Sequence, residues 1–153
     1  HLPIQLQPTS ELMSLHSVTE KDILALNKFY NNVFLDIVNE TSTDGRVFFP
    51  TEKIFRPIMY KTPFIVFGPQ HFLHNLRKFG FETFNEYWSE HYDSVLNDNA
   101  RLTTVIARLN DISKLSLHDL KAMHKKMQPI SDHNYNVLQN LRRDDFKRET
   151  FNE

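Results

Sequence analysis

Cysteine is absent from this chain, glycine occurs only three times and tryptophan once. Without cysteine there is no disulfide, no thiolate nucleophile and no Cys-based zinc or iron–sulfur site. The glycines, Gly45, Gly68 and Gly80, are too scattered for the dinucleotide fingerprint, and none opens the Gly-Lys-Ser/Thr ending of a P-loop. Any phosphate must therefore be held without a glycine cradle. Long apolar runs are missing too: no stretch approaches about 18 residues, so no membrane-spanning helix is expected. Nor does one sign of charge dominate. Eighteen Lys and Arg meet 19 Asp and Glu for a net charge of −1, which gives no global case for nucleic acid or an anionic membrane as partner. The first residues lack the basic start and apolar stretch of a signal peptide. They also lack an initiating Met and read as the start of a processed chain or fragment. The missing cysteines suit a reducing, cytoplasmic setting.

What is present suits a globular domain: 153 residues, 40% hydrophobic and 24% charged, enough for a core without staples. Residues 1–16, with Pro3 and Pro8, read as an extended arm or linker. Ser17 and Glu20 fit a capping box before a helix over about 18–32. Phe34 to Glu40 reads as a short strand, Thr41 to Gly45 as a turn, and Val47 to Phe49 as extended chain or a loop anchor. Thr51 is an N-cap for a short helix over about 52–60, with Ile54, Phe55, Ile58 and Met59 as its buried stripe and Pro57 bending it. Pro63 to Phe67 is a continuous apolar run closed by Gly68-Pro69, the pattern of a buried parallel strand. Phe72 to Phe79 is helical, with Gly80 beyond its end. Phe81 to Phe84 is a candidate third strand. Leu102, Val105, Ile106, Leu109 and Ile112 form one helical stripe. Ser116 starts a further helix that Pro129 interrupts before a last one, and the charged end from Arg142 is expected to fray.

Alternating strands and helices from 34 to 84 predict an α/β fold: a small parallel sheet with flanking helices, then a C-terminal helical extension. The expected division is an arm over 1–16, an α/β domain over 17–115 and the extension over 116–153.

Ligands of open α/β sheets sit at the carboxyl ends of the strands. Glu40 ends a strand, and Thr51, Glu52 and Lys53 begin a helix, whose free amides and partial positive charge suit phosphate. Lys53 opposes the helix dipole there, which a bound anion would relieve, and Arg56 follows one turn later. Glu52 or Glu40 suits ribose or sugar hydroxyls. The same residues also fit a solvated helix start with a Glu–Lys pair of little energetic weight. Gly68, Tyr92 and Asp93 are candidate cleft residues. Glu90 to Asp93 reads either as an acid/base cluster or as a packed Tyr92 among solvated neighbours. Phe84, Tyr87 and Trp88 read as core before they read as a stacking platform. His71 and His74 share a helix face without a matching carboxylate, so no metal is expected. The lysines and arginines after residue 114 read as a solvated face.

Three stretches carry a resemblance: Phe34 to Glu40, Pro50 to Ile58 with Thr51-Glu52-Lys53, and Thr62 to Pro69. Together they are similar to the nucleotide-sugar half of α-1,3-fucosyltransferases, glycosyltransferases of GT-B type. With Leu76-Arg77, Gly80 to Phe84 and Glu90 to Asp93 they also resemble phage and large-virus glycosyltransferase-like proteins. The resemblance spans about residues 34–112. It implies a Rossmann-like sheet that binds a nucleoside diphosphate sugar, a GDP- or UDP-sugar, with no obligatory cofactor, and passes the glycosyl group to a hydroxyl-bearing acceptor. It implies Lys53 at the diphosphate, Glu52 or Glu40 at the ribose or sugar, and Thr51 holding the helix start. The chain departs from the pattern in having Glu40-Thr41 in place of Glu-Asn, and it leaves no room for the acceptor domain that usually supplies the base. No general base is therefore named. The alternative is a structural or protein-interaction domain without turnover.

Overall fold

The computed structural model describes residues 20–41 and 48–141. The expected arm, the Ser17 cap, the Gly45 turn, Val47 and the charged tail lie outside the described residues. Two compact units divide after Asn32. The first contains the helix α1, Glu20–Tyr30, with Lys28 in its last turn, where a cation complements the dipole. The Asn32 side-chain amide donates to the Lys28 carbonyl at 2.9 Å.

The second unit runs β1 (Asp36–Asn39), α2 (Glu52–Met59), β2 (Phe64–Phe67), α3 (Phe72–Lys78), a 3-10 turn (His91–Ser94), α4 (Asp98–Ser113) and α5 (Leu117–Asn140). β1 and β2 pair in parallel, Asp36 opposite Phe64 and Asn39 opposite Phe67. A parallel pair requires a crossover between its strands, and α2 supplies it. β2 is buried at Phe64, Ile65 and Val66, whereas β1 buries only Val38. The core gathers these residues with Ile54, Ile58, Phe72, Leu73, Leu76, Phe84, Val105 and Met127. Met127 brings α5 into the same core.

The mixed α/β class and the parallel pairing follow the sequence expectation. Three details differ. Phe81 to Phe84 is not a strand; the sheet of the described residues has two strands. Phe81, Thr83 and Phe84 are buried as a strand would bury them, but their segment bonds to side chains. The Asn134 amide accepts from the Glu82 amide at 2.8 Å and donates to its carbonyl at 2.9 Å, and Glu90 accepts from the Phe84 amide at 2.8 Å. Second, Pro129 does not end a helix; α5 runs through it for 24 residues. Proline removes the donor to the carbonyl four residues back. One residue on, the Lys126 carbonyl accepts from the Tyr87 hydroxyl at 2.8 Å, an external bond next to the missing one. Third, Met59, Leu102 and Ile106 are exposed rather than part of the buried stripes. On α4 the inward face is instead Arg101, Val105 and Ile112.

Candidate functional site

The end of β1 and the start of α2 meet through Glu40. Its amide donates to the Phe67 carbonyl at 2.9 Å, extending the parallel pairing by one residue. Its carboxylate is 3% exposed and turns to Thr51, accepting from the Thr51 hydroxyl at 2.5 Å and from its amide at 3.3 Å. Thr51 is the N-cap of α2, and its hydroxyl oxygen accepts from the Lys53 amide at 3.3 Å. A β-region Thr followed by Glu in the first turn is the local signal that starts this helix. The buried carboxylate fixes the hydroxyl's proton, so its lone pairs face the helix.

Lys53 stands in that first turn. Its Nζ donates to the Thr41 hydroxyl at 2.8 Å and to Glu52 Oε1 at 3.2 Å, with about a quarter of the side chain exposed. Burial raises the affinity of Glu52 for its proton, but the helix-start amide, Lys53 and Arg56 outweigh it and hold the carboxyl below the usual glutamate range. Glu52 and Arg56 are exposed. Thus Glu40, Thr51, Glu52 and Lys53 come together, with Arg56 further along the helix. Glu40 reaches Thr51 rather than open solvent.

The other candidates belong to a second arrangement. Asp93 is 8% exposed and caps α3 from a distance: Oδ1 accepts from the Leu73 amide at 2.8 Å and Oδ2 from the His74 amide at 3.0 Å. Its own carbonyl accepts from the His71 amide at 2.7 Å. Tyr92 is buried in the core, and burial pushes its hydroxyl pKa far above the usual tyrosine range. The Gly68 carbonyl accepts from Arg101 Nε at 2.9 Å. A methyl group at Gly68 would sit 3.1 Å from the Phe72 ring, so this position needs the close approach that glycine permits.

Two polar clusters were not anticipated. Arg101, fully buried, bonds the Gly68 and Val95 carbonyls and pairs with Asp98 at 2.6 Å, with Phe67 under its guanidinium. Its place on the buried stripe with Val105 and Ile112 gives helical spacing, but an arginine in that register reads as surface. Arg77 bonds Thr83 at 2.6 Å and pairs with Glu90, whose carboxylate also accepts from Thr83 at 2.8 Å. Burial raises the Glu90 pKa above the usual range, while Thr83, Arg77 and the Phe84 amide pull it back. The spacing Arg77, Thr83, Glu90 follows no element period, so nothing local in the sequence joins the three side chains. His71 and His74 lie with ring centroids 6.0 Å apart, and among the described residues no three His, Asp or Glu side chains gather as a metal would need.

No family model, curated protein or solved structure matches this chain.

Proposed function

We propose that this chain is the nucleotide-sugar-binding part of a glycosyltransferase, a Rossmann-like half of the two-domain type. The observation that carries the reading is the placement of Lys53 in the first turn of α2, beyond the carboxyl end of β1, beside a cap that buried Glu40 holds in place. Crossover helices of parallel sheets present anion sites at this point. Lys53, the helix start and Arg56 would meet the diphosphate of a GDP- or UDP-sugar and stabilise it as leaving group while the glycosyl group passes to an acceptor hydroxyl. Glu52, ionised and exposed, takes the ribose or sugar hydroxyls. Glu40 supports Thr51 rather than contacting the donor.

A second reading is a structural or interaction module. It is favoured by one observation: the carboxylates of Glu40 and Asp93 are both given to internal caps. Thermal unfolding with GDP or UDP at millimolar concentration separates the two. At a hundredfold excess over Kd a bound ligand adds about 2.7 kcal/mol, or about 5–10 °C in melting temperature for a domain of this size. No shift with either nucleotide overturns donor binding and leaves the module.

A further inference from the structure

A cleft of about 640 Å³ lies between the 81–87 segment and the Pro129 region of α5, lined by Arg77, Glu82, Asn85, Glu86, Tyr87 and Lys126 among others. That volume falls within the range of small-molecule sites, about 300–1,000 Å³. Its residues are not those proposed to hold the donor.

The walls are held from both sides by bonds unrelated to helix or strand formation. Asn134 grips the Glu82 backbone through both amide atoms, at 2.8 and 2.9 Å. Thr83 accepts from Arg77 Nε at 2.9 Å. The Tyr87 hydroxyl bridges to the Lys126 carbonyl at 2.8 Å, tying the two walls across the proline. A cleft fixed in this way loses little conformational freedom when it is filled.

The lining selects by chemistry. The lining carries two cations, Arg77 and Lys126, and two carboxylates, Glu82 and Glu86, and Arg77 is already paired with Glu90. Positive charge is therefore balanced, and a phosphate gains nothing here. Carboxylate, guanidinium and carboxamide are planar groups with two atoms able to bond side by side, a spacing that matches neighbouring hydroxyls on one ring. Tyr87, half-buried in the wall, has an apolar ring body and a polar tip. We infer that this cleft binds a neutral carbohydrate, gripping vicinal hydroxyls with Glu82, Asn85 and Glu86 and setting a sugar face against Tyr87. Binding stands without the donor reading; only the further statement that the sugar is the acceptor rests on it.

The test is titration of the isotope-labelled chain with lactose, maltotriose and diacetylchitobiose, followed by amide chemical shifts, with inorganic phosphate and UDP as separate arms. The expected result is saturable shifts confined to residues 81–87 and 126–130 with at least one sugar. Asn85 and Glu86 are exposed, so an Asn85→Ala, Glu86→Ala double variant should keep its fold and weaken the affinity about tenfold. Absence of saturable shifts with all three sugars, equal affinity in the double variant, or saturation of the cleft by phosphate overturns the inference. A chain that binds a sugar here but not UDP keeps this inference and loses the donor reading; the converse result does the opposite.

Discussion

α2 and α3 both begin beside a buried carboxylate that comes from elsewhere in the chain, yet they end in different states. At α3, Asp93 accepts directly from the first-turn amides of Leu73 and His74. The negative charge that a helix start attracts is already in place, supplied by the protein. At α2, Glu40 stands one step back. It holds Thr51, Thr51 holds the Lys53 amide through its hydroxyl, and the first turn carries Glu52 and Lys53 as a partly exposed ion pair. One helix start is closed by a buried carboxylate; the other is capped by a hydroxyl and carries an exposed carboxylate beside a lysine. A buried carboxylate beside a helix start therefore plays two different parts, and only the atom that it touches tells them apart.

The comparison can be broken most severely at the closed end. Asp93→Ala strands two amides, one of them in the core, and should cost about 3 kcal/mol, near 10 °C in melting temperature, with nucleotide binding at α2 unchanged. Next, Thr51→Val removes the cap and leaves the buried Glu40 carboxylate with only the amide of residue 51; about 2 kcal/mol should be lost in chemical denaturation. A loss no larger than an exposed cap gives, about 1 kcal/mol, would mean that the carboxylate behind Thr51 contributes nothing.

Glu90 extends the comparison to a buried carboxylate held by a cation. Because burial raises its pKa, the folded chain holds that proton more tightly than the unfolded chain. The stability it contributes falls as pH rises from the unfolded glutamate range through the folded value. Arg77→Met removes the cation and pushes the pKa further up. Its cost should be about 1–2 kcal/mol near neutral pH, below that of a fully buried pair because Arg77 is part-exposed, and should shrink in acid. Denaturant titrations at about pH 4 and 7 read this directly; a loss that does not change with pH would assign it to packing. The smallest effect on the fold belongs to Lys53→Ala, within about 0.5 kcal/mol by thermal melt, while the shift caused by GDP or UDP should vanish. A large stability loss with that shift intact would make Lys53 structural.

Much of the frame was legible. Thr51 as cap, Pro63 to Phe67 as a buried parallel strand and Gly80, with φ of 86°, beyond α3 each depend on a few neighbouring residues. The strand end at Glu40 and the helix start at Thr51 are local signals as well, whereas the bond that joins their side chains, across 11 residues, is not. What escaped depends on distant partners. Phe81 to Phe84 has the burial of a strand, but Asn134, 52 residues away, takes the place of a neighbouring strand. Pro129 reads as a break because its own neighbours favour one, while the packing of α5 on the core lies far off in sequence. Nothing near Asp93 in sequence points to the α3 amides.

The grip of Asn134 on Glu82 has one further consequence. A primary carboxamide carries the same donor and acceptor as a peptide group, so one side chain reproduces a single rung of strand pairing and then stops. Here that rung is occupied by a group that ends the ladder after one step. Asn134→Leu leaves the Glu82 amide and carbonyl without this partner and should cost about 1–3 kcal/mol, read as a lower melting temperature.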